Sequence, residues 1–208
     1  LDISGSMSVT STSYKSILDY CIHTVINIIK YLERVYIDNE HISITLIINA
    51  FDDKIEKLGM LKIGQDSSNM IKKLQTLYPR GGTDIANAFN EMSTNSIYKE
   101  CDNTKKAHIL FTDGIPIKGS TSAEGILKGN PGGDQIFIGY GTGHDAKLLQ
   151  EMAKLSKGSY HFVDTIENAG MVYGEIIHSL LYKTVEDIKV YVEGVEVYDF
   201  NENCWTNK

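Results

Sequence analysis

Apolar segments rich in β-branched residues, at positions 42–51, 107–112 and 135–139, alternate with stretches whose apolar residues recur every three or four positions. No other feature limits the fold as strongly. Short apolar runs fit strands covered on both faces, and the intervening spacing fits helices that lay one apolar face against a sheet. The longest helix is predicted over 14–36, where Ile17, Leu18, Cys21, Ile22, Val25, Ile28, Ile29 and Leu32 form one stripe. Further helices are predicted over 68–77, 84–92, 145–155 and 165–181, the last interrupted by Gly170 and Gly174. The expected fold is α/β, a doubly wound and mostly parallel sheet with helices on both faces.

Two stretches break the alternation. Residues 54–63, KIEKLGMLKI, read as a strand with no helix before it, which predicts one antiparallel edge strand joined as a hairpin extension. Residues 185–200 alternate apolar and polar side chains around Glu193-Gly194, which predicts a C-terminal β-hairpin opening a further β-rich segment. The expected division is one domain over 1–182 and the start of another segment over 183–208. Leu1-Asp2 is shorter than a central strand usually is, so the natural chain is expected to continue in both directions.

Composition narrows the classes of function. A net charge of −7, with no basic run longer than Lys72-Lys73 or Lys105-Lys106, argues against nucleic acid and anionic membrane surfaces as partners. No apolar run reaches the 18 residues of a membrane-spanning helix. Cys21, Cys101 and Cys204 are odd in number and widely spaced, the pattern of free thiols and not of a disulfide framework or a zinc site. Together with the lack of N-x-[ST] sequons, this leads to the expectation of an intracellular protein.

Chemistry concentrates in three short motifs. In Asp2-Ile3-Ser4-Gly5-Ser6-Met7, alternate residues of an extended segment face one way, so a carboxylate and two hydroxyls converge. Gly81-Gly82-Thr83-Asp84 forms a glycine turn leading into a predicted helix, and Phe111-Thr112-Asp113-Gly114 closes a predicted strand with a carboxylate. In doubly wound sheets ligands bind beyond the carboxyl ends of the strands, where Asp2 and Asp113 are expected. Taken alone, DISGSMS is an ordinary loop and helix-cap sequence, and Thr83-Asp84 an ordinary helix start.

In that order, DISGSM, GGTD and FTDG resemble the metal-ion-dependent adhesion site of von Willebrand factor A domains, and the likeness runs over residues 1–182. The later half, GYGTGHDAKLLQEMAKLSKGSYHFVD followed by VEDIKVYVE, is similar to intracellular A domains joined to RING or U-box modules and to their bacterial and viral relatives. The resemblance implies that Asp2, Ser4, Ser6, Thr83 and Asp113 hold one divalent metal, with Gly82, Asp84 and Gly114 directly behind them. Mg²⁺ is the expected ion, with Mn²⁺ or Ca²⁺ as substitutes, because oxygen-only donors suit hard cations. It also implies that a partner protein fills an open metal position with an Asp or Glu carboxylate. Fusion to a RING, U-box or other domain outside these residues is compatible with this. The loops 9–13, 78–80 and 115–122 would then set specificity.

Other readings compete with that one. A Mg²⁺-dependent hydrolase or phosphatase would also place Asp residues at strand ends, but neither D-x-D-x-[TV] nor a P-loop is present, and the chain is expected not to be an enzyme. Self-assembly through the same site is a third reading. His144-Asp145 reads as a solvated loop pair, since no nucleophile elbow accompanies it. The remaining histidines are scattered without zinc spacing. Cys21 reads as core, and the dispersed tyrosines as packing residues with wet hydroxyls.

Overall fold

The computed structural model describes residues 1–10, 15–39, 42–94, 105–163, 166–182, 197–199 and 204–206. Helix α1 (Ile17–Asp38) starts where Ser16 accepts from the Asp19 amide and Asp19 accepts in return from the Ser16 amide, a reciprocal cap that satisfies two otherwise unpaired donors. Its buried face carries Leu18, Cys21, Ile22, Val25, Ile29 and Leu32, in agreement with the predicted stripe. Truncating the fully buried Ile29 to alanine would cost about 2–5 kcal/mol through lost contacts and a residual cavity.

Strand β1 (Thr45–Phe51) pairs antiparallel with β2 (Ile55–Lys62), so the predicted edge hairpin is present. After α2 (Ser68–Gln75) and α3 (Ile85–Thr94) come β3 (Ala107–Thr112), β4 (Asp134–Tyr140) and β5 (Ser159–Val163), paired in parallel in that order. Helix α4 (Ala123–Leu127) precedes β4, α5 (Ala146–Ser156) precedes β5, and α6 (Ile166–Tyr182) follows it. Neither α4 nor β5 stands out by periodicity. The first has only five residues, and the second has no fully buried residue before Val163.

Residues 1–3 knit the two groups of strands together. The amide of Phe51 donates to the Leu1 carbonyl and Ile3 donates to Phe51 across a parallel bridge, while Asp2 donates to Phe111 on the other side. Across the sheet the order is β2, β1, residues 1–3, β3, β4, β5. The chain winds outward one way to β2, then the other way from β3, so the order reverses between residues 1–3 and β3. That reversal opens a crevice at the carboxyl ends.

Successive buried residues of the central strands face opposite cores. Ala50, Phe111, Ile136 and Ile138 join the core under α1 and α6, while Phe51, Leu110 and Phe137 join the core under α3, α4 and α5. Period-two burial toward two apolar layers is what a sheet covered by helices on both faces requires.

At the C-terminal end the described residues form one antiparallel pair, β6 (Val197–Asp199) with β7 (Cys204–Thr206). The predicted turn itself, with residues 183–196, lies outside the described residues.

Candidate metal centre

Asp2 and Asp113 stand on the two sides of the crevice. Asp2 is fully buried, and each of its carboxylate oxygens has a donor: the Ser4 amide reaches Oδ1 at 2.8 Å and the Thr112 hydroxyl reaches Oδ2 at 2.5 Å. These bonds turn the chain out of its extended path into a 3₁₀ turn at Gly5–Ser8, so that Ser4 and Ser6 follow Asp2 around one point. Their hydroxyls lie 3.0 Å apart, and Ser6 Oγ donates to Asp113 Oδ1 at 2.8 Å.

Thr83 enters from a third loop. Gly5 donates to the Gly81 carbonyl and Arg80 to the Ile3 carbonyl, which ties the glycine turn to the DISGSM loop. A Cβ placed on Gly114 would lie 2.9 Å from Thr83 Oγ1 and 3.5 Å from Ser6 Oγ, so both hydroxyls crowd the same glycine. The five oxygen-bearing side chains singled out in the sequence are therefore brought to one end of the sheet, with Ser4, Thr83 and Asp113 nearly as buried as Asp2.

Gly114 is required there because a side chain would press on Thr83. A Cβ placed on Gly82 would lie 2.9 Å from the Ile117 side chain. Asp84 caps α3, its Oδ1 accepting from the Asn87 amide at 2.9 Å, as one of its two expected roles requires.

The electrostatics are those of carboxylates short of a counter-charge. Burial, reinforced by the neighbouring charge of Asp2 and partly offset by the Ser6 hydroxyl, pushes the Asp113 carboxyl up to about 6. Burial also raises Asp2 above the usual carboxylate range, against the opposing hydrogen bonds from Thr112 and Ser4. A cation would relieve both. Among the described residues, no group of three or more His, Cys, Asp or Glu side chains is placed to hold a metal. Any cation at this crevice would thus depend on hydroxyl donors, a set suited to a hard ion.

The profile of the von Willebrand factor type A domain matches residues 1–174. The chain belongs to that family. A comparison with curated proteins found no match. Among solved structures, the chain is similar to a von Willebrand factor type A protein from Catenulispora acidiphila, at 16% identity and a TM-score of 0.66, over 86% of this chain and 41% of that one. It is also similar to the conserved hypothetical protein BatB from Bacteroides thetaiotaomicron, at 18% identity and a TM-score of 0.59, over 86% of this chain and 95% of that one. A third is proximal thread matrix protein 1 from the mussel byssus, whose adhesion-site motif is occupied by zinc; the match is 17% identical with a TM-score of 0.61, over 87% of this chain and 46% of that one. This chain thus spans less than half of the first and third. At these identities the likeness concerns the fold.

Within this VWA domain, two supports of the site were not read from the sequence. Thr112, fully buried, donates to Asp2 and accepts from the Gly114 amide at 3.1 Å, so one hydroxyl holds both carboxylate-bearing loops. Arg80 donates through Nε to Asp52 at 2.9 Å and through Nη2 to Glu56 at 2.5 Å, which fixes the loop that delivers Thr83. Asp52 ends an apolar strand just as Asp113 does, which was the available signal.

His144 also needs correction. It is buried, with Nδ1 facing the Gly141 carbonyl at 2.5 Å and Nε2 facing the Tyr160 hydroxyl at 2.6 Å, so it braces the β4–α5 turn and is not solvated. Tyr140 and Tyr173 likewise bury their hydroxyls, each against the other. Cys21 is core, as expected.

Proposed function

We propose that this VWA domain is a divalent-metal-dependent binding module in which Asp2, Ser4, Ser6, Thr83 and Asp113 hold the ion and a partner protein's Asp or Glu carboxylate completes it. The observation that carries the reading is the run of oxygens from Ser4 through Ser6 to Asp113, at 3.0 and 2.8 Å. Those separations suit adjacent ligands of a small hard cation, whose octahedral edge is about 2.9 Å for Mg–O bonds of 2.0–2.1 Å. Mg²⁺ or Mn²⁺ is the proposed ion, because two carboxylates and three hydroxyls form a small donor set made only of oxygens. The zinc-occupied motif in the mussel protein supports a divalent metal in a related fold without fixing which one.

When bound, the ion supplies a Lewis-acidic position for an external anion. The chain's own residues orient the donors: Thr112 holds Asp2, Asp84 starts α3 behind Thr83, and Gly114 leaves room for the hydroxyls. Both oxygens of Asp2 accept hydrogen bonds that shape the loop, which makes Asp2 a poor covalent nucleophile.

The test is titration calorimetry with Mg²⁺ and Mn²⁺ on the intact chain and on Asp113→Ala, with and without acetate. Metal binding that is lost in the variant and strengthened by acetate is expected. Turnover of generic phosphoesters, abolished by Asp2→Ala, would instead establish a hydrolase. Metal-dependent growth in molecular size without any other protein would establish self-assembly.

A further inference from the structure

Large exposed apolar side chains flank the loops of the metal centre. Val9 is 59% exposed and follows Ser6 by three residues, its amide bonded to the Ser6 carbonyl at 3.0 Å. Ile115 and Ile117 are 55% and 68% exposed on the strap that leaves Asp113. That strap is folded back on the third loop, with the Ile117 and Lys118 amides both donating to the Thr83 carbonyl and the Ile117 side chain against Gly82. Val9 and Ile115 thus follow proposed ligands by three and two residues, and Ile117 lies beside the glycine that precedes Thr83. Covering such side chains removes apolar surface from water, which is favourable.

The cations of the Thr83 loop and of the strap folded on it are already paired. Lys118 pairs with Asp53, and Arg80 pairs with Asp52 and Glu56. An incoming anion would meet those charges already neutralised, so added negative charge beyond one carboxylate gains little.

We infer that the partner presents a single carboxylate flanked by apolar side chains, the carboxylate directed to the metal and the flanks covering Val9, Ile115 and Ile117. This rests on the metal-dependent reading above and specifies the chemistry of its partner. A strongly acidic peptide, rewarded only by charge, would lack the flanks that this rim accepts.

The experiment compares three capped tripeptides, Leu-Asp-Leu, Ser-Asp-Ser and Asp-Asp-Asp, titrated into the intact chain in saturating Mg²⁺, with acetate as reference. Leu-Asp-Leu is expected to bind about tenfold more tightly than either other peptide, the effect of removing roughly 55 Å² of apolar surface from water. Ile117→Ser, and separately Val9→Ser, should narrow that preference to about twofold or less while Mg²⁺ affinity measured alone stays unchanged. Equal binding of Leu-Asp-Leu and Ser-Asp-Ser, or tightest binding of Asp-Asp-Asp, would overturn the inference while leaving metal-dependent carboxylate binding intact. Failure of acetate and every peptide to bind in the presence of bound Mg²⁺ would overturn the parent reading as well.

Discussion

Ser6 Oγ donates to Asp113 Oδ1 at 2.8 Å although 107 residues separate the two in the chain. That bond joins the DISGSM loop to the end of β3 across the sheet crevice. It also places a hydroxyl and a carboxylate at the distance that a small hard cation would bridge. Ser6→Ala is expected to weaken Mg²⁺ binding by at least tenfold, removing both a proposed ligand and an orienting contact. Calorimetry on the exposed-site variant, whose fold should be unchanged by circular dichroism, checks it.

Thr112 is not a proposed ligand, yet its loss should be felt at the metal. Thr112→Val keeps the shape and removes the hydroxyl that serves Asp2 and Gly114. Leaving those buried groups without their partner should cost about 1–3 kcal/mol in stability. Metal affinity should fall with it. Urea denaturation with and without Mg²⁺ reads both effects; an unchanged metal affinity would show that Asp2 needs no such support.

Proton competition sets the pH dependence of metal binding. With Asp113 pushed up to about 6, the free carboxyl is mostly ionised at pH 7 and mostly protonated at pH 5. Apparent Mg²⁺ affinity should therefore fall roughly tenfold from pH 7 to pH 5, since the proton must leave before the ion binds. A flat profile over that range would place the Asp113 carboxyl at its ordinary value.

His108 works on stability in a different pH window. Burial, with a smaller contribution from Lys106, lowers its imidazole to about 4. The folded state then stays neutral between pH 6.5 and 4 while the unfolded state takes up a proton. The stability it provides is complete above pH 6.5 and is lost as pH falls toward 4, by about 3 kcal/mol at most. Relative to wild type, His108→Leu should show a shallower loss of stability over that interval in metal-free denaturation curves.

Gly114→Ala tests the crowding of the hydroxyls. The added methyl would stand 2.9 Å from Thr83 Oγ1, and Thr83 must move to admit it. Mg²⁺ affinity should drop on the order of tenfold, as displaced supports of metal ligands typically cause. Gly129, whose Cα faces the backbone of α3 far from the carboxylates, provides the contrasting site: Gly129→Ala should lower stability and leave metal affinity alone.

The periodicities that mark α1, β1, β3 and β4 are local, repeating over two or four residues, and so the amino-acid order by itself determined those four elements, the two-sided burial of the strands and the motifs at their ends, but not α4 or β5. The C-terminal end of β3 at Thr112 and the apolar stripe of α1 were legible for that reason. What periodicity does not carry is which loops meet. The likeness of DISGSM, GGTD and FTDG to a known site implied the meeting of Ser6 with Asp113, but the double role of Thr112, the clamp of Arg80 on Asp52 and the mutual burial of the Tyr140 and Tyr173 hydroxyls depend on strand order and on contacts between residues 28 to 110 positions apart. Hydrogen bonds of that kind have no repeat to reveal them. Only the reversal of strand order between residues 1–3 and β3, a property of the folded sheet, brings the two carboxylates to one crevice, where burial raises both above the usual carboxylate range.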